Sequence, residues 1–298
     1  MSAAHSQAPA TFNRAFAIGI FLNTAFVAVE AFYGWKVNSL ALLADAGHNL
    51  SDVAGLLLVW AGAFVSQLSP NARHTYGWRR GTILAAFANA VLLLVAMGSL
   101  GWEALGRLRA PEPTQWSTIM VVAAVGIIVN TITALLFMRG RQHDLNIRGA
   151  FLHMSADALV SAGVVVAGVL AMGFGWIWID PVVSLLIAAI IVVGTWSLFR
   201  QSAHLLFDGV PEQIDLTAVR NYLESLPGVD RVHDLHVWAM GTSEVALTAH
   251  LVMPEGHPSD SFYQAATQEL HERFEIEHVT IQVVTAPFTQ SCFKESRS

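Results

Sequence analysis

Charge is scarce in this sequence. Of its 298 residues only 13% are Asp, Glu, Lys or Arg, while 54% are hydrophobic. A soluble domain carries about 25% charged residues. The deficit excludes an ordinary water-soluble globule and points to a polytopic membrane protein. Cysteine is nearly absent: Cys292 stands alone, which excludes an intrachain disulfide and a multi-thiolate zinc site. There is no excess of positive charge, because the net charge is −6 with 12 His, so nothing suits a nucleic-acid partner. The first apolar run is long and no small-residue cleavage site follows it, so no cleavable signal peptide is expected.

What is present is a series of long apolar runs. Six of them, about 15–35, 40–68, 81–105, 116–138, 147–174 and 176–199, each approach or exceed the ~20 residues needed to cross the hydrocarbon. An even number puts both termini on one side. Arg73, Arg79 and Arg80 lie between runs two and three, Arg139, Arg141 and Arg148 between four and five, and Arg200 after six. The opposite loops hold only Lys36, Arg107 and Arg109, so the positive-inside rule predicts cytoplasmic termini. Trp35, Trp102, Trp116, Trp176 and Trp178 fall near run ends, as interfacial anchors do.

After Arg200 the composition becomes that of a soluble domain. Leu216, Val219, Leu223 and Leu226 have helical spacing over 215–226. Residues 229–238 and 245–253 alternate as strands around the turn Met240-Gly241-Thr242. A second helix over 260–274 and a third strand over 278–285 complete an α-β-β-α-β order, which suits helices on one face of a small sheet. The expected layout is a polar tail at 1–13 holding His5, six membrane helices over 14–206, an α+β domain over 207–287 and a second tail at 288–298.

Polar residues inside the apolar runs carry the chemistry. In LALLADAGHNLSDVAGLLL, Asp45, His48 and Asp52 recur at offsets of three and four and so share a helical face. A charged side chain near the bilayer centre costs roughly 2.5–3.5 kcal/mol, so such groups line a cavity or find a partner inside the bundle. In GAFLHMSADALVSAGVVVAG, His153 and Asp157 repeat the His-x-x-x-Asp spacing of His48 and Asp52. Two helices each offering an imidazole and a carboxylate can close a four-ligand N/O metal site; the competing reading is a helix–helix hydrogen bond. Asn23, Asn89 and Asn130 read as interhelical hydrogen-bonding residues. Glu30 must be neutral, paired or near an interface, and a proton relay is one use for it.

The segments LALLADAGHNLSD, HTYGWRRGTILAAFANA, DLNIRGAFLHMSADALVSAG, DPVVSLLIAAII, LLFDGVP and VHDLHVW resemble the cation diffusion facilitators. The nearer likeness is to their zinc and cobalt-zinc-cadmium resistance branch in bacterial membranes, and it runs from about residue 12 to 287. The resemblance implies six membrane helices, a cytoplasmic ferredoxin-like α+β domain, a homodimer and proton-coupled export of a divalent metal. It implies no enzyme activity. It carries the transport site onto His48, Asp52, His153 and Asp157, and leaves Asp45 one turn away as a neighbouring or access-path residue. An accessory loop site of the family maps onto His74 after the second run; in the cytoplasmic domain His233, His236 and His250 match histidines of the family, and His278 on the last strand joins His233 and His250 as a candidate metal ligand. The loop carboxylate and second His of some relatives are Asn71 and Trp78 here, which weakens the loop site. In the cytoplasmic domain a family acidic residue is replaced by Val284.

Two neutral imidazoles and two carboxylates sum to zero charge around a divalent ion, which makes occupancy of a low-dielectric bundle tolerable. The set suits tetrahedral zinc and disfavours Mg²⁺, which prefers six oxygens, whereas Co²⁺ and Cd²⁺ remain open. An empty site would hold uncompensated negative charge, so proton uptake is the natural exchange for metal release. A zinc uniporter, a membrane metal sensor working through the cytoplasmic histidines and a membrane metalloenzyme are the alternatives. The last needs an open coordination position that four protein ligands do not leave.

Overall fold

A computed structural model of the chain describes residues 14–66, 70–110, 112, 114–138 and 145–285; the expected tails, with His5 and Cys292, lie outside them. Six long helices come first: α1 Arg14–Lys36, α2 Leu40–Ser66, α3 Gly81–Arg109, α4 Trp116–Met138, α5 Leu145–Phe174 and α6 Ile179–Leu206. Each of the six apolar runs is therefore a helix. Their ends differ from the hydropathy boundaries by up to seven residues because helices continue into polar turns, as α6 does to Leu206. Among the described residues, α3, α6, Trp116–Leu136 of α4 and Met154–Phe174 of α5 are long and apolar enough to cross a membrane. Their outer faces carry Leu92, Val95, Leu159, Leu186 and Val193, each more than half exposed. Apolar surface on that scale, spread over adjacent helices, fits lipid rather than water as the solvent.

The chain divides into two compact units. One comprises Met1–Leu57 and Asn89–Ser197. Its core holds Leu42, Ala44, Met97, Ile119 and Val164. Small residues let the helices approach closely. A Cβ on Gly168 of α5 would stand 2.4 Å from Met120 Cγ of α4, and one on Gly126 of α4 would stand 2.7 Å from Phe26 Cζ of α1. Of the membrane asparagines, Asn89 donates to the Ser51 carbonyl at 3.4 Å and Asn23 donates to Met154 Sδ at 2.9 Å. Asn130 is buried.

The other unit comprises Leu58–Ala88 and Leu198–Ser298. Here α7 Leu216–Glu224, β1 Arg231–Ala239, β2 Val245–Val252, α8 Asp260–Phe274 and β3 His278–Val284 follow the expected α-β-β-α-β order. Asp215 caps α7 by accepting from the backbone N–H groups of Thr217 and Ala218. The strand order is β1-β2-β3. β1 and β2 run antiparallel, and β2 and β3 run parallel, which requires the crossover that α8 supplies. Val219 and Leu223 of α7 and Leu270 and Phe274 of α8 pack with Val237, Leu247 and Leu251 of the sheet. The loop between α2 and α3 belongs to this unit. Arg79 pairs with Glu244, Arg80 pairs with Asp208, and Thr242 N donates to Thr82 Oγ1 at 3.1 Å.

Candidate metal centre

The polar residues of α2 gather beside α1 and α5. His48 Nε2 of α2 stands 3.8 Å from Asp157 Oδ1 of α5. That is too long for a hydrogen bond, which needs about 2.7–3.2 Å. Two ligands each about 2.0–2.2 Å from one tetrahedral ion lie roughly 3.4 Å apart. The spacing is thus nearer that of two ligands sharing an ion than that of a closed pair. Asp157 is 3% exposed, and the His48 side chain is 26% exposed. One member is sealed in the bundle and the other is partly exposed. The backbones of Asp52 and His153 lie in α2 and α5, each four residues from its partner in the motif. Their side chains lie outside the described residues. Among the described residues no group of three or more His, Cys, Asp or Glu is assembled around one point.

Asp45 does not stand apart. It is buried, as is Glu30 of α1 at 1% exposure. The two carboxyls adjoin, and Asn49 Nδ2 donates to Glu30 Oε2 at 3.4 Å. The His48–Asp157 couple therefore has a second buried polar pair, Glu30 and Asp45, in its neighbourhood.

In the three-stranded sheet, His233 of β1 lies opposite His250 of β2, with ring centroids 5.2 Å apart. β1 bulges between His233 and His236, and Asp234 takes φ +53° there. The bulge aims Asp234 at both neighbours: Oδ1 is 3.0 Å from His236 Nε2, and Oδ2 is 3.7 Å from His250 Nδ1. Asp234 is the residue that sequence reasoning missed; the signal was its place between two histidines in VHDLHVW. His278 is not part of this group. It pairs with Ala246, whereas His250 pairs with Gln282, about 13 Å further along the strand. His278 Nε2 instead lies 2.8 Å from Arg79 Nη1, with Tyr76 edge-on. His74 stacks on Trp78 with ring centroids 4.0 Å apart, and its backbone N–H donates to Asn71 Oδ1.

Buried ionisable groups among lipid-facing helices are the mark of a membrane transport protein. Residues 16–207 match the family described as the cation efflux transmembrane domain, and residues 211–285 match the cation efflux protein cytoplasmic domain. The zinc transporter ZitB of Escherichia coli is 35% identical over 274 residues, covering 91% of this chain and 87% of that protein. The metal cation efflux system protein CzcD of Cupriavidus metallidurans is 34% identical, covering 98% and 93%. A cadmium, cobalt and zinc/H⁺-K⁺ antiporter of Bacillus subtilis is 33% identical, covering 90% and 88%. The chain belongs to the cation diffusion facilitator family and is a multi-pass membrane transporter, not an enzyme.

Proposed function

We propose that the protein exports Zn²⁺ from the cytoplasm in exchange for protons, with Co²⁺ and Cd²⁺ as further substrates. His48, Asp52, His153 and Asp157 hold the ion. The observation that carries this reading is the 3.8 Å approach of His48 and Asp157 across two membrane helices. α2 and α5 are separated by three helix reversals and so run antiparallel. The backbone positions of Asp52 and His153 then fall at a common level, one turn beyond His48 and Asp157. The relatives named as transporters of zinc, cadmium and cobalt support the substrate class, and the one named as an H⁺-coupled antiporter supports the exchange.

Binding requires deprotonated carboxylates and neutral imidazoles. Metal arriving from the cytoplasm therefore displaces protons, and protons from outside displace metal. The buried Glu30 and Asp45 carboxyls give the protons a place near the ligands. Alternating access about this site then yields antiport. The boundaries are a membrane domain over 14–206 and a cytoplasmic domain over 207–287, with both termini cytoplasmic in the inner membrane of a bacterium. The cytoplasmic domain pairs with its copy in a homodimer, and metal at His233 and His250, with Asp234, regulates rather than carries transport.

Zinc flux in vesicles tests the central claim. An imposed gradient, acidic on the side away from the cytoplasmic domains, is expected to drive zinc out of the cytoplasmic compartment, and the inverted gradient to slow or reverse it. Zinc binding in buffers of different ionisation enthalpy counts the protons released. A zero count with flux indifferent to the gradient would make the protein a zinc uniporter.

A further inference from the structure

Asp180, in the first turn of α6, is wholly buried at 0% exposure and stands apart from the metal centre. Its carboxylate accepts from Ser39 Oγ at 2.6 Å and from Leu40 N at 3.1 Å. Leu40 and Ala41 open α2, where backbone N–H groups have no partner within the helix. Asp180 therefore caps α2 from a different helix, and its charge also suits the N-terminus of its own. Beside it, Arg107 at the end of α3 donates to Asn38 O and to Asn38 Oδ1, each at 2.6 Å. Asn38 makes the turn between α1 and α2 at φ +56°, with Ser39 N donating to Gly34 O at 2.9 Å. Arg107 also attracts the Asp180 carboxylate electrostatically. One cluster, with Ser39, Asp180 and Arg107 buried, thus ties together the α1–α2 turn, the end of α3 and the start of α6.

We infer that Asp180 is a positioning residue for transport: it holds the starts of α2 and α6 together as a fixed pivot from which α2 presents the metal site. α6 leads into the cytoplasmic domain, so this end faces away from the cytoplasm. Parting the two ends would leave a buried carboxylate without its donors, a state of high cost. The cycle therefore proceeds with the pivot closed. His48 lies about 14 Å along α2 from Ser39 by helical rise, so a tilt of about 10° about the pivot moves it by about 2 Å. That displacement matches a metal–ligand bond length and is enough to open or close coordination.

The inference rests on the transport reading, which the parent protein's own zinc flux tests separately. The experiment uses the full-length dimer in vesicles on a Cys292→Ser background, which leaves no other thiol. Asp180→Ala is expected to bind zinc like the parent but to turn over about tenfold more slowly or worse. Asp180→Asn, which keeps one acceptor oxygen, should fall between the two. Ser39→Cys with Asp180→Cys should be as slow as Asp180→Ala until the thiols are joined by a short bis-methanethiosulfonate. Joining should restore most of the parent rate, and reduction should remove the gain. A covalent link carries neither protons nor metal, so rescue isolates the positioning role. Should Asp180→Ala fail to fold, the linked and unlinked double variant decides alone. The inference is overturned if linking leaves flux at the unlinked level with zinc binding intact, if Asp180→Ala transports at the parent rate, or if that folded variant loses zinc binding.

Discussion

Replacing Asp157 by Asn gives the sharpest test of the metal centre. The side chain is nearly isosteric, so the tight packing of α5 against α4 is kept and only charge is lost. In the proposed site the ion and its four ligands sum to zero. Asparagine would leave one uncompensated positive charge at a position that is 3% exposed. Removing one partner of a buried charge pair costs about 3–5 kcal/mol. At about 1.4 kcal/mol per tenfold, zinc affinity should fall by roughly 10²- to 10³-fold or more. His48→Ala should cost less, because it removes a neutral ligand whose side chain is 26% exposed. If both residues hold one ion, the double variant should lose less than the sum of the two single losses. Titration of purified protein in nanodiscs against a competing chelator measures these affinities, with size exclusion and circular dichroism confirming the fold. Zinc uptake by vesicles should be abolished in parallel. Folded Asp157→Asn that binds and moves zinc like the parent would place the ion elsewhere.

Three further outcomes are expected. His48→Asp changes two nitrogens and two oxygens into one and three, so a metal panel should shift towards harder ions, with new transport of Mn²⁺; an active variant with an unchanged panel contradicts this. Removal of residues 208–298 strips Arg79 and Arg80 of their partners Glu244 and Asp208, and should weaken dimerisation in light scattering while zinc still binds at the membrane site. Leu270→Ala empties part of the cytoplasmic core, where Leu270 is 0% exposed, and should destabilise that domain by about 2–5 kcal/mol in a denaturant titration.

Much of this protein was legible in its sequence because the signals are local. Apolar runs long enough for the bilayer mark helices whatever packs against them, and all six proved helical. The period-two alternation around Met240-Gly241-Thr242 located β1 and β2, and the spacing of Leu216, Val219 and Leu223 located α7, because one face of each is buried. The paired His-x-x-x-Asp motifs stood out because ionisable groups are expensive in lipid.

Partnership between distant residues could not be read this way. Asp45 and Glu30 were separate polar residues on two helices, and only the fold brings the two buried carboxyls together. Arg107 counted merely as a charge on the outer side, yet it is 8% exposed and holds the α1–α2 turn. His278 shares a residue type with His233 and His250, but strand register sets it opposite Ala246 and against Arg79. Asp234 became a neighbour of two histidines through a bulge that no periodicity announces. Hydropathy and helical period belong to a stretch of chain and survive without the fold. Which donor meets which acceptor depends on helix packing and strand register, and those exist only once the distant segments have come together.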